Sequence, residues 1–192
     1  MSTMVYIHPS ANIDEGAVIG EGSKIWHGTH VMGKARIGTN CVLGQNVFIG
    51  NKVTIGNNVK IQNTINVYEG VIIEDDVFLG PGMTFTNVIN PRSTVDRKSE
   101  FKETIIHQGA SIGANACIVC GIKIGMYSFI GAGAVVTRDV LSFELVVGNP
   151  AKPIGWMSRR GIRLHFDNHG KASCPDSSDV YLYKNGLVEV VE

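Results

Sequence analysis

The sequence predicts an all-β fold, a parallel β-helix in which short strands coil around a continuous apolar core. Two observations support this prediction. An apolar residue recurs at every sixth position over two long stretches, and glycine follows many of these positions. Neither the 3.6-residue period of an α-helix nor the two-residue period of a strand generates this spacing. A unit of one short strand and one turn does, because successive coils stack their inward side chains.

The every-sixth residues, here called the anchors, form two stretches. The first begins at Ile7 and ends at Phe85, and the second begins at Ile106 and ends at Val136. Two positions before each anchor of the first stretch lies another residue that we expect to point inward, usually small or β-branched. These residues include Ala11, Ala17, Ser23, Thr29, Ala35, Cys41, Val47, Val53 and Val59.

Glycine and asparagine mark the predicted corners between strands. Glycine directly follows anchors such as Ile37 and Leu43, and asparagine often lies shortly after it, as at Asn40 and Asn46. Both residue types adopt left-handed backbone angles at low cost. The corners are therefore predicted to follow the anchors throughout both stretches.

The repeat is interrupted once. Phe85 and Ile106 are 21 positions apart, which is not a multiple of six. The segment 86–105 loses the glycine pattern and gains Pro91 and many charged residues. Long loops in compact folds are usually functional. We therefore predict an excursion loop over about residues 86–105.

The C-terminal part has a different character. The segment 148–153 closes the coils, and residues 154–160 are expected to form a short helical turn. Residues 180–183 and 187–191 flank Lys184-Asn185-Gly186, a strong hairpin signal. The sequence thus predicts a β-helix domain over 1–160 and a tail over 161–192. A small hairpin in this tail would cap the open end of the solenoid.

Composition excludes several classes of function. The 192 residues contain 17 Lys and Arg and 17 Asp and Glu, so the formal net charge is zero. Nonspecific nucleic-acid binding needs a basic surface, and we expect no nucleic-acid partner. The N-terminus lacks a signal-peptide pattern, and no apolar run approaches a membrane span. A cytoplasmic protein without a membrane partner is expected.

The four cysteines are expected to be reduced and structural. Cys117 and Cys120 have the spacing of half a zinc site, but no second pair follows at metal-site spacing. Cys41 occupies a small inward position, where a thiol serves as a compact apolar filler. We therefore expect no bound metal.

Several segments resemble the nucleotide-sugar N-acetyltransferases of surface-polysaccharide synthesis, which are left-handed β-helix acyltransferases. The likeness covers residues 5–165. The segments are KIQNTINVYEGVIIEDDVFLGPGMTFTNVINPRS at 60–93, ASIGANACIVCGIKIG at 110–125, FIGAGAVVTRDV at 129–140 and VVGNPAKPIGWMSRRG at 146–161.

This resemblance implies left-handed coils, although parallel crossovers in general are right-handed. It implies acetyl-CoA as the co-substrate and a homotrimer with its sites between subunits. The implied acceptor is the 3-amino group of UDP-2-acetamido-3-amino-2,3-dideoxy-D-glucuronate, a precursor of O-antigen in lipopolysaccharide biosynthesis.

Attack of an amine on a thioester needs a neutral amine, alignment and stabilisation of the oxyanion. A sugar amine should have a pKa of roughly 8, so a strong protein base is not essential. Asn87, at the root of the excursion, offers an amide where many relatives carry a histidine, and it is the candidate that orients the amine. His107 is the alternative base. The relatives tend to have Lys or Arg at this position, so His107 is a departure.

UDP and CoA are polyanions that need cationic or backbone N–H partners. Arg92 lies within the matched NPRS segment, and Arg97 and Lys98 follow it in the loop. Polar residues interrupt the glycine-rich corners of the first stretch and suit sugar hydroxyls and uracil. The substrate candidates are Gln62, Asn63, Tyr68, Glu69 and Arg92, and the CoA candidates are Gly131, Ala132, Gly133, Arg138, Lys152 and Arg159.

Three alternatives remain open at this point. One is acetylation of a dTDP- or UDP-linked amino deoxysugar that lacks the carboxylate. Another is a carbonic-anhydrase-like site, which needs three histidines that converge on zinc from adjacent coils. The third is a solenoid that serves only as a scaffold. The available histidines are His8, His27, His30, His107, His165 and His169, and their spacing does not suggest convergence.

Overall fold

The structure, a computed structural model, describes residues 4–191. It is a left-handed parallel β-helix, which confirms the predicted fold class. Three short strands complete one coil, so Tyr6 pairs with Lys24, 18 positions later. The strands are β1 (Tyr6–Ile7), β2 (Asn12–Ile13), β3 (Val18–Ile19), β4 (Lys24–Ile25), β5 (His30–Val31), β6 (Arg36–Ile37), β7 (Val42–Leu43), β8 (Phe48–Ile49), β9 (Thr54–Ile55), β10 (Lys60–Ile61), β11 (Asn66–Val67), β12 (Val71–Ile73), β13 (Phe78–Leu79), β14 (Thr84–Phe85), β15 (Thr104–Ile106), β16 (Ser111–Ile112), β17 (Cys117–Ile118), β18 (Lys123–Ile124), β19 (Phe129–Ile130), β20 (Val135–Val136), β21 (Glu144–Val147), β22 (Lys152–Trp156), β23 (Lys171–Ser173), β24 (Val180–Lys184) and β25 (Leu187–Val190).

The coils form a prism with three faces. Face 1 contains β1, β4, β7, β10, β13, β16, β19 and β21, with β22 added at its end. Face 2 contains β2, β5, β8 and β11, followed by β14, β17 and β20, and face 3 contains β3, β6, β9, β12, β15 and β18. Corner 1 is the set of turns that follow face 1, and corners 2 and 3 follow faces 2 and 3.

The core consists of the predicted inward side chains. Every anchor from Ile25 to Phe85 and from Ile106 to Val136 is at most 3% exposed. Burial of each large aliphatic side chain contributes about 1.5–3 kcal/mol. The stack of anchors is thus the main source of stability.

Polar groups in the core have hydrogen-bond partners. The hydroxyl of Ser23 donates to the carbonyl of Gly38 at 2.9 Å, and that of Thr29 donates to the carbonyl of Gly44 at 2.8 Å. Cys41 is free and buried, and burial raises the pKa of its thiol. The inward placement of these three small residues is therefore confirmed.

Asparagine occupies corners with left-handed backbone angles, as predicted, whereas the glycines directly after anchors, such as Gly38 and Gly44, do not; the left-handed glycines of the coils lie three positions after an anchor. The φ angles of Asn40 and Asn46 are 57° and 56°, and that of Gly28 is 64°. Tight stacking also favours glycine: a Cβ atom on Gly113 would lie 2.5 Å from the backbone N of Ala132 in the next coil. Glycine directly after an anchor thus reflects the close spacing of the coils, and glycine or asparagine three positions after an anchor reflects the backbone angle.

The excursion leaves the coils after Phe85 and returns at Thr104. Val71 pairs with Thr104, 33 positions later, which is one coil of 18 residues plus an insertion of 15. The register is restored after the loop because the anchors must stack again. This confirms the predicted excursion, which contains one short 3₁₀ helix at Lys98–Glu100.

The prediction of a helical turn at residues 154–160 was wrong. β22 (Lys152–Trp156) instead pairs antiparallel with β21, with an irregularity between Leu145 and Val146. The last coil leaves an unpaired sheet edge, and pairing at that edge outweighs local turn preference. Pro153 is compatible with this outcome because prolines are tolerated on edge strands.

The predicted hairpin is present and gains a third strand. β24 and β25 pair around Asn185-Gly186, and β23 pairs with the other side of β24. Tyr181 and Leu164 of this cap form an apolar cluster with Phe143 of the last coil. At the opposite end of the described residues, the first anchor, Ile7, is 42% exposed. The domain boundary near residue 160 stays a prediction.

The stacked core leads to a test of stability. Leu79→Ala removes a fully buried anchor and should lower the free energy of unfolding by about 2–5 kcal/mol. Thr54→Ala, at an exposed outward position, should change it by less than about 0.5 kcal/mol. Urea unfolding at one fixed protein concentration measures both. Equal midpoints for the two variants would contradict the inward stacking of Leu79.

Candidate functional site

Two threonine hydroxyls secure the neck of the excursion at corner 2. The hydroxyl of Thr86 accepts the backbone N–H of Cys120 at 2.9 Å. The hydroxyl of Thr104 accepts the backbone N–H of Gly121 at 3.1 Å. These bonds attach the points where the chain leaves and re-enters the coils to the following coil.

Asn87 lies in this neck. Its carbonyl accepts the backbone N–H of Lys102 at 3.0 Å, so the two sides of the excursion are joined at this residue. The side chain of Lys102 lies over Gly121, whose Cβ position would be 3.0 Å from Cδ of Lys102. Asn87 is half-buried, and its backbone is thus held while part of its surface remains accessible.

The excursion presents a cationic surface. The Arg92 guanidinium donates to the carbonyl of Pro91 at 3.4 Å, and it forms no ion pair within residues 4–191. Arg97 is paired with Glu100, 2.8 Å away. Both arginines line a cavity of about 520 Å³. Arg92 is therefore the arginine of this loop that is available to an anionic ligand.

The preceding coil places Tyr68 and Glu69 on the same corner. The Tyr68 ring lies 6.3 Å from that of Phe48 and packs partly against the core. Glu69 accepts a hydrogen bond from Nζ of Lys52 at 2.6 Å. The pair is exposed and contributes little to stability, but it fixes the carboxylate beside Tyr68.

Corner 1 carries Gln62 and Asn63. The side-chain oxygen of Asn63 accepts the backbone N–H of Gln45 at 2.8 Å, which is a structural role in the corner. Gln62 is half-buried, and no hydrogen bond of its side chain forms within the described residues. Gln62 is thus the better candidate for a contact with a ligand.

The glycine-rich end of corner 1 exposes backbone. The N–H groups of Gly131 and Gly133 donate to carbonyls of neighbouring coils at 2.8 Å. The N–H of Ala132 has no acceptor within residues 4–191, and Ala132 is exposed. Lys152 begins β22 next to this end of the corner and is also exposed. A ligand along this corner would meet one free amide and one cation.

Corner 3 holds His107 in a defined orientation. Its Nδ1 atom lies 3.0 Å from Oε1 of Glu74, and Oε2 of Glu74 accepts the backbone N–H of Gln108 at 2.9 Å. A carboxylate only accepts, so a neutral His107 carries its proton on Nδ1 and offers Nε2 as an acceptor. This geometry is that of a base oriented by a third group.

The two remaining arginines are separated from these groups. Arg138 follows face 2 near the end of the solenoid, where Nη2 lies 3.8 Å from the carboxylate of Glu144. The guanidinium of Arg159 lies over the ring of Tyr127, 5.4 Å from its centroid, beside corner 3. These two CoA candidates do not form one site within the chain.

The candidates thus occupy three corners, and no single corner of the chain holds all of them. Corner 2 carries Tyr68, Glu69, Asn87, Arg92 and Arg138, corner 1 carries Gln62, Asn63, Gly131, Ala132, Gly133 and Lys152, and corner 3 carries His107 and Arg159.

Sequence reasoning missed the side chains that orient the candidates. Lys52 and Gly70 are 18 residues, or one coil, apart. Lys52 therefore lies beside Gly70 and its neighbour Glu69 in the next coil. Glu74 precedes His107 by 33, which is one coil plus the 15-residue insertion. Counting by whole coils rather than by repeats could have found both.

The structure brings no metal site together among residues 4–191, where no group of three or more His, Cys, Asp or Glu side chains has suitable geometry. The rings of His8 and His27 stack at 3.5 Å, and Nε2 of His30 lies 3.0 Å from the carboxylate of Asp14. The described part of the chain also contains no helix with the length and apolar character of a membrane span.

The neck of the excursion generates a prediction. Thr86→Val removes the acceptor of the Cys120 N–H and leaves a buried donor unpaired, which costs about 1–3 kcal/mol. Tryptic cleavage after Arg92 should become faster, because the neck opens more often. Thr84→Val, on the exposed strand just before the neck, is the control and should leave cleavage unchanged. Equal cleavage rates in both variants would show that the Thr86 bond does not hold the neck.

Two family models match the coils. The model described as "Bacterial transferase hexapeptide (six repeats)" matches residues 16–51 and 103–138. The model described as "Hexapeptide repeat of succinyl-transferase" matches residues 34–69. Residues 70–102, which include nearly all of the excursion, and the C-terminal cap lie outside both matches.

Curated relatives match part of the chain. A dTDP-3-amino-3,6-dideoxy-α-D-galactopyranose 3-N-acetyltransferase from Aneurinibacillus thermoaerophilus is 44% identical over 89 residues, which are 46% of this chain and 45% of that protein. A 2,3,4,5-tetrahydropyridine-2,6-dicarboxylate N-acetyltransferase from Staphylococcus aureus is 38% identical over 79 residues, or 41% of this chain and 30% of that protein. The match spans less than half the length of each relative.

Solved structures share the fold. A hexapeptide-repeat acetyltransferase from Vibrio cholerae, complexed with acetyl-CoA, has a TM-score of 0.54 and 25% identity and covers 62% of this chain and 68% of that one. PerB from Caulobacter crescentus, complexed with CoA and GDP-perosamine, has a TM-score of 0.51 and 22% identity, with 81% and 59% covered. The matched hexapeptide repeats and the shared fold show that this chain has the left-handed β-helix architecture.

Proposed function

We propose that the protein transfers an acetyl group from acetyl-CoA to the 3-amino group of a nucleotide-linked sugar. The observation that carries this proposal is the fixed, half-buried Asn87 in the neck of the excursion at corner 2. A relative that is 44% identical over the matched part is named as a 3-N-acetyltransferase of a nucleotide-linked amino sugar, which supports the reaction class.

The chemistry needs little acid–base assistance. An amine with a pKa of roughly 8 is partly neutral near pH 7.5, and its lone pair attacks the thioester carbonyl directly. In the proposal, the carboxamide oxygen of Asn87 accepts one N–H of the amine and orients the lone pair. The C–N bond forms as the C–S bond breaks. The proton lost from nitrogen passes to water or to the departing thiolate.

The acetyl donor is assigned to corner 1. The free N–H of Ala132 suits a carbonyl of the pantetheine arm, and the exposed Lys152 nearby suits a phosphate. The N–H groups of Gly131 and Gly133 already donate to carbonyls of neighbouring coils. In this proposal the two glycines leave room for the pantetheine arm because they have no side chains.

Corners 1 and 2 lie at different edges of the prism, so a site that uses both is completed by packing two copies of the chain. We infer that the protein acts as a homotrimer with one site at each of its subunit boundaries, consistent with the usual closed symmetry of oligomers. Acetyl-CoA and nucleotide sugars as substrates place the reaction in the cytoplasm, in the synthesis of a surface-polysaccharide precursor.

The proposed acceptor is UDP-2-acetamido-3-amino-2,3-dideoxy-D-glucuronate. A sugar carboxylate removed from water needs a charge-assisted partner, and the unpaired Arg92 guanidinium can provide one. Gln62 and Tyr68 supply polar contacts for the nucleotide or the sugar hydroxyls. The second candidate is a dTDP-linked 3-amino deoxysugar, which the name of the Aneurinibacillus relative favours.

Steady-state kinetics of CoA release tests the function. The panel contains the UDP-linked uronate, its C6-hydroxyl analogue and a dTDP-linked 3-amino-3,6-dideoxyhexose. The highest kcat/KM for the uronate supports the finer proposal, and equal values for the uronate and its C6-hydroxyl analogue reject it. A preference for the dTDP sugar establishes the second candidate. Absence of acetyl transfer to every 3-amino sugar would overturn the reaction class.

The role of Asn87 can be separated from that of His107. Asn87→Ala should lower kcat by about 10- to 1000-fold, the cost of one well-placed polar group, with little change in thermal stability. His107→Asn should reduce kcat by less. The reverse order, with His107 indispensable, would establish the Glu74-oriented histidine as the base and would reject direct attack without one.

The substrate group that Arg92 contacts can be identified from the effect of its replacement on substrate selectivity. Arg92→Ala should reduce kcat/KM for the uronate about 10- to 100-fold more than for its C6-hydroxyl analogue, because the variant loses a charge-assisted contact to the carboxylate. Lys98→Ala, a neighbouring exposed cation of the loop, is the control and should affect both sugars equally. Equal losses for both sugars in Arg92→Ala would instead assign Arg92 to the pyrophosphate.

A further inference from the structure

A second cavity, of about 720 Å³, lies between corner 3 and the C-terminal cap. The turn 158–161 closes one side of it and contributes Arg159 and Arg160. Ser111 and Phe129 of face 1 and Asp179 of the cap line other sides. Its volume lies in the range of small-molecule sites. The proposed transfer reaction is placed at corners 1 and 2, and of the residues that line this cavity only Arg159 was among the CoA candidates.

The turn is internally braced. The Oγ atom of Ser158 accepts the backbone N–H groups of Arg160 and Ile162, both at 3.2 Å. Gly161 has a φ of 75°, an angle that favours glycine, and its N–H donates to the carbonyl of Ser158 at 3.0 Å. Both arginines are therefore presented from a defined backbone rather than from a mobile segment.

Arg159 is held from two sides. Its backbone N–H donates to the hydroxyl of Tyr181 at 2.9 Å, and that hydroxyl donates to Asp179 at 3.1 Å. Burial raises the pKa of Tyr181, which keeps this hydroxyl protonated. The guanidinium lies over the ring of Tyr127, which stacks on Phe143 with centroids 5.5 Å apart. A cation–π contact orients the guanidinium plane without consuming its N–H donors.

Neither arginine forms an ion pair within residues 4–191, although two carboxylates line the cavity. Asp76 accepts hydrogen bonds from the amides of Asn58 and Gln108, and Asp179 accepts one from Tyr181. The guanidinium donors thus remain available to an anion. Their fork geometry matches phosphate oxygens, which bind arginine in a bidentate manner.

The rest of the lining suits a nucleoside. Phe129 is half-buried and offers an apolar wall, Ser111 offers a hydroxyl group, and the free acceptor capacity of the two carboxylates suits ribose hydroxyls. A ligand that combines phosphates, hydroxyl groups and an aromatic base meets all three features. A simple inorganic anion would leave the Phe129 side of the cavity unused.

We infer that this cavity binds the nucleoside diphosphate part of a ligand, with its phosphates on Arg159 and Arg160. The identity of the ligand rests on the proposed function, because both substrates carry such a group: the phosphorylated ADP of CoA and the UDP of the sugar. The shared chemistry defines the site, and binding measurements with each compound distinguish the two sources.

The test is isothermal titration of CoA and of UDP into the 192-residue protein. Arg159→Gln/Arg160→Gln should weaken binding of one of these ligands by about 10- to 100-fold, because a hydrogen bond to a charged group contributes about 1.5–3 kcal/mol. Lys171→Gln/Lys184→Gln removes the same charge from exposed positions of the cap and should leave both affinities unchanged. The ligand that loses affinity identifies the source.

The inference is overturned if both ligands bind the arginine double variant as tightly as they bind the wild type. A thermal unfolding curve checks that the variant is folded, and the single variants Arg159→Gln and Arg160→Gln repeat the test if the double variant is not. Because binding needs no turnover, a protein that binds nucleotide here but transfers no acetyl group would refute the proposed function and leave this site intact.

Discussion

The stacking of inward side chains at a spacing of 18 residues is the constraint on which the rest of the structure depends. Each strand from β1 to β20 contributes only two or three residues, which is too little to be stable alone. Stability arises because Ile25, Leu43 and Ile61 lie in register, one coil after another, with no exposed surface. An inserted segment must either keep this register or lie outside the stacked coils.

That constraint decides where functional groups are located. Strand residues point either into the core or outward from a flat face, so irregular backbone is confined to the corners. The excursion inserts 15 residues at corner 2 and then returns to register at Thr104. Its neck is secured by the hydroxyls of Thr86 and Thr104, which places Asn87 at a fixed point of the prism. A rigid scaffold that carries one long loop is the result.

The prism shape also separates the candidates. Ala132 and Lys152 lie at corner 1, whereas Asn87 and Arg92 lie at corner 2. In a solenoid each coil contacts only its neighbours in the stack, so the corners of one chain do not approach each other. Lateral packing of copies is the natural way to bring different corners together. This geometry is the reason for proposing sites at subunit boundaries.

The features that could be predicted were those that show as regular spacing along the sequence. The anchors, the small inward residues such as Thr29, the excursion and the hairpin around Asn185-Gly186 all follow from spacing and turn chemistry. The helical turn at 154–160 was predicted wrongly, because the exposed edge of β21 is a property of the last coil and not of the local sequence.

The partners of the site residues were not predictable from the six-residue period. Glu74 meets His107, and Lys52 meets Glu69, only because whole coils stack. The structural role of Asn63, which accepts the N–H of Gln45, depends on the same stacking. Such contacts link residues 17 to 33 positions apart and require the coil length and the length of the insertion to be known.

Subunit complementation tests most directly whether a site combines corner 2 of one copy with corner 1 of another. Asn87→Ala disables corner 2, and Ala132→Glu places a negative charge at the exposed corner 1. Each variant alone should retain at most about a tenth of the wild-type activity. In a trimer assembled from equal amounts of both, roughly a quarter of the sites would have two intact corners, so co-expression should restore roughly a quarter of the wild-type activity. Mixed oligomers that remain as inactive as the separate variants would contradict a site shared between subunits.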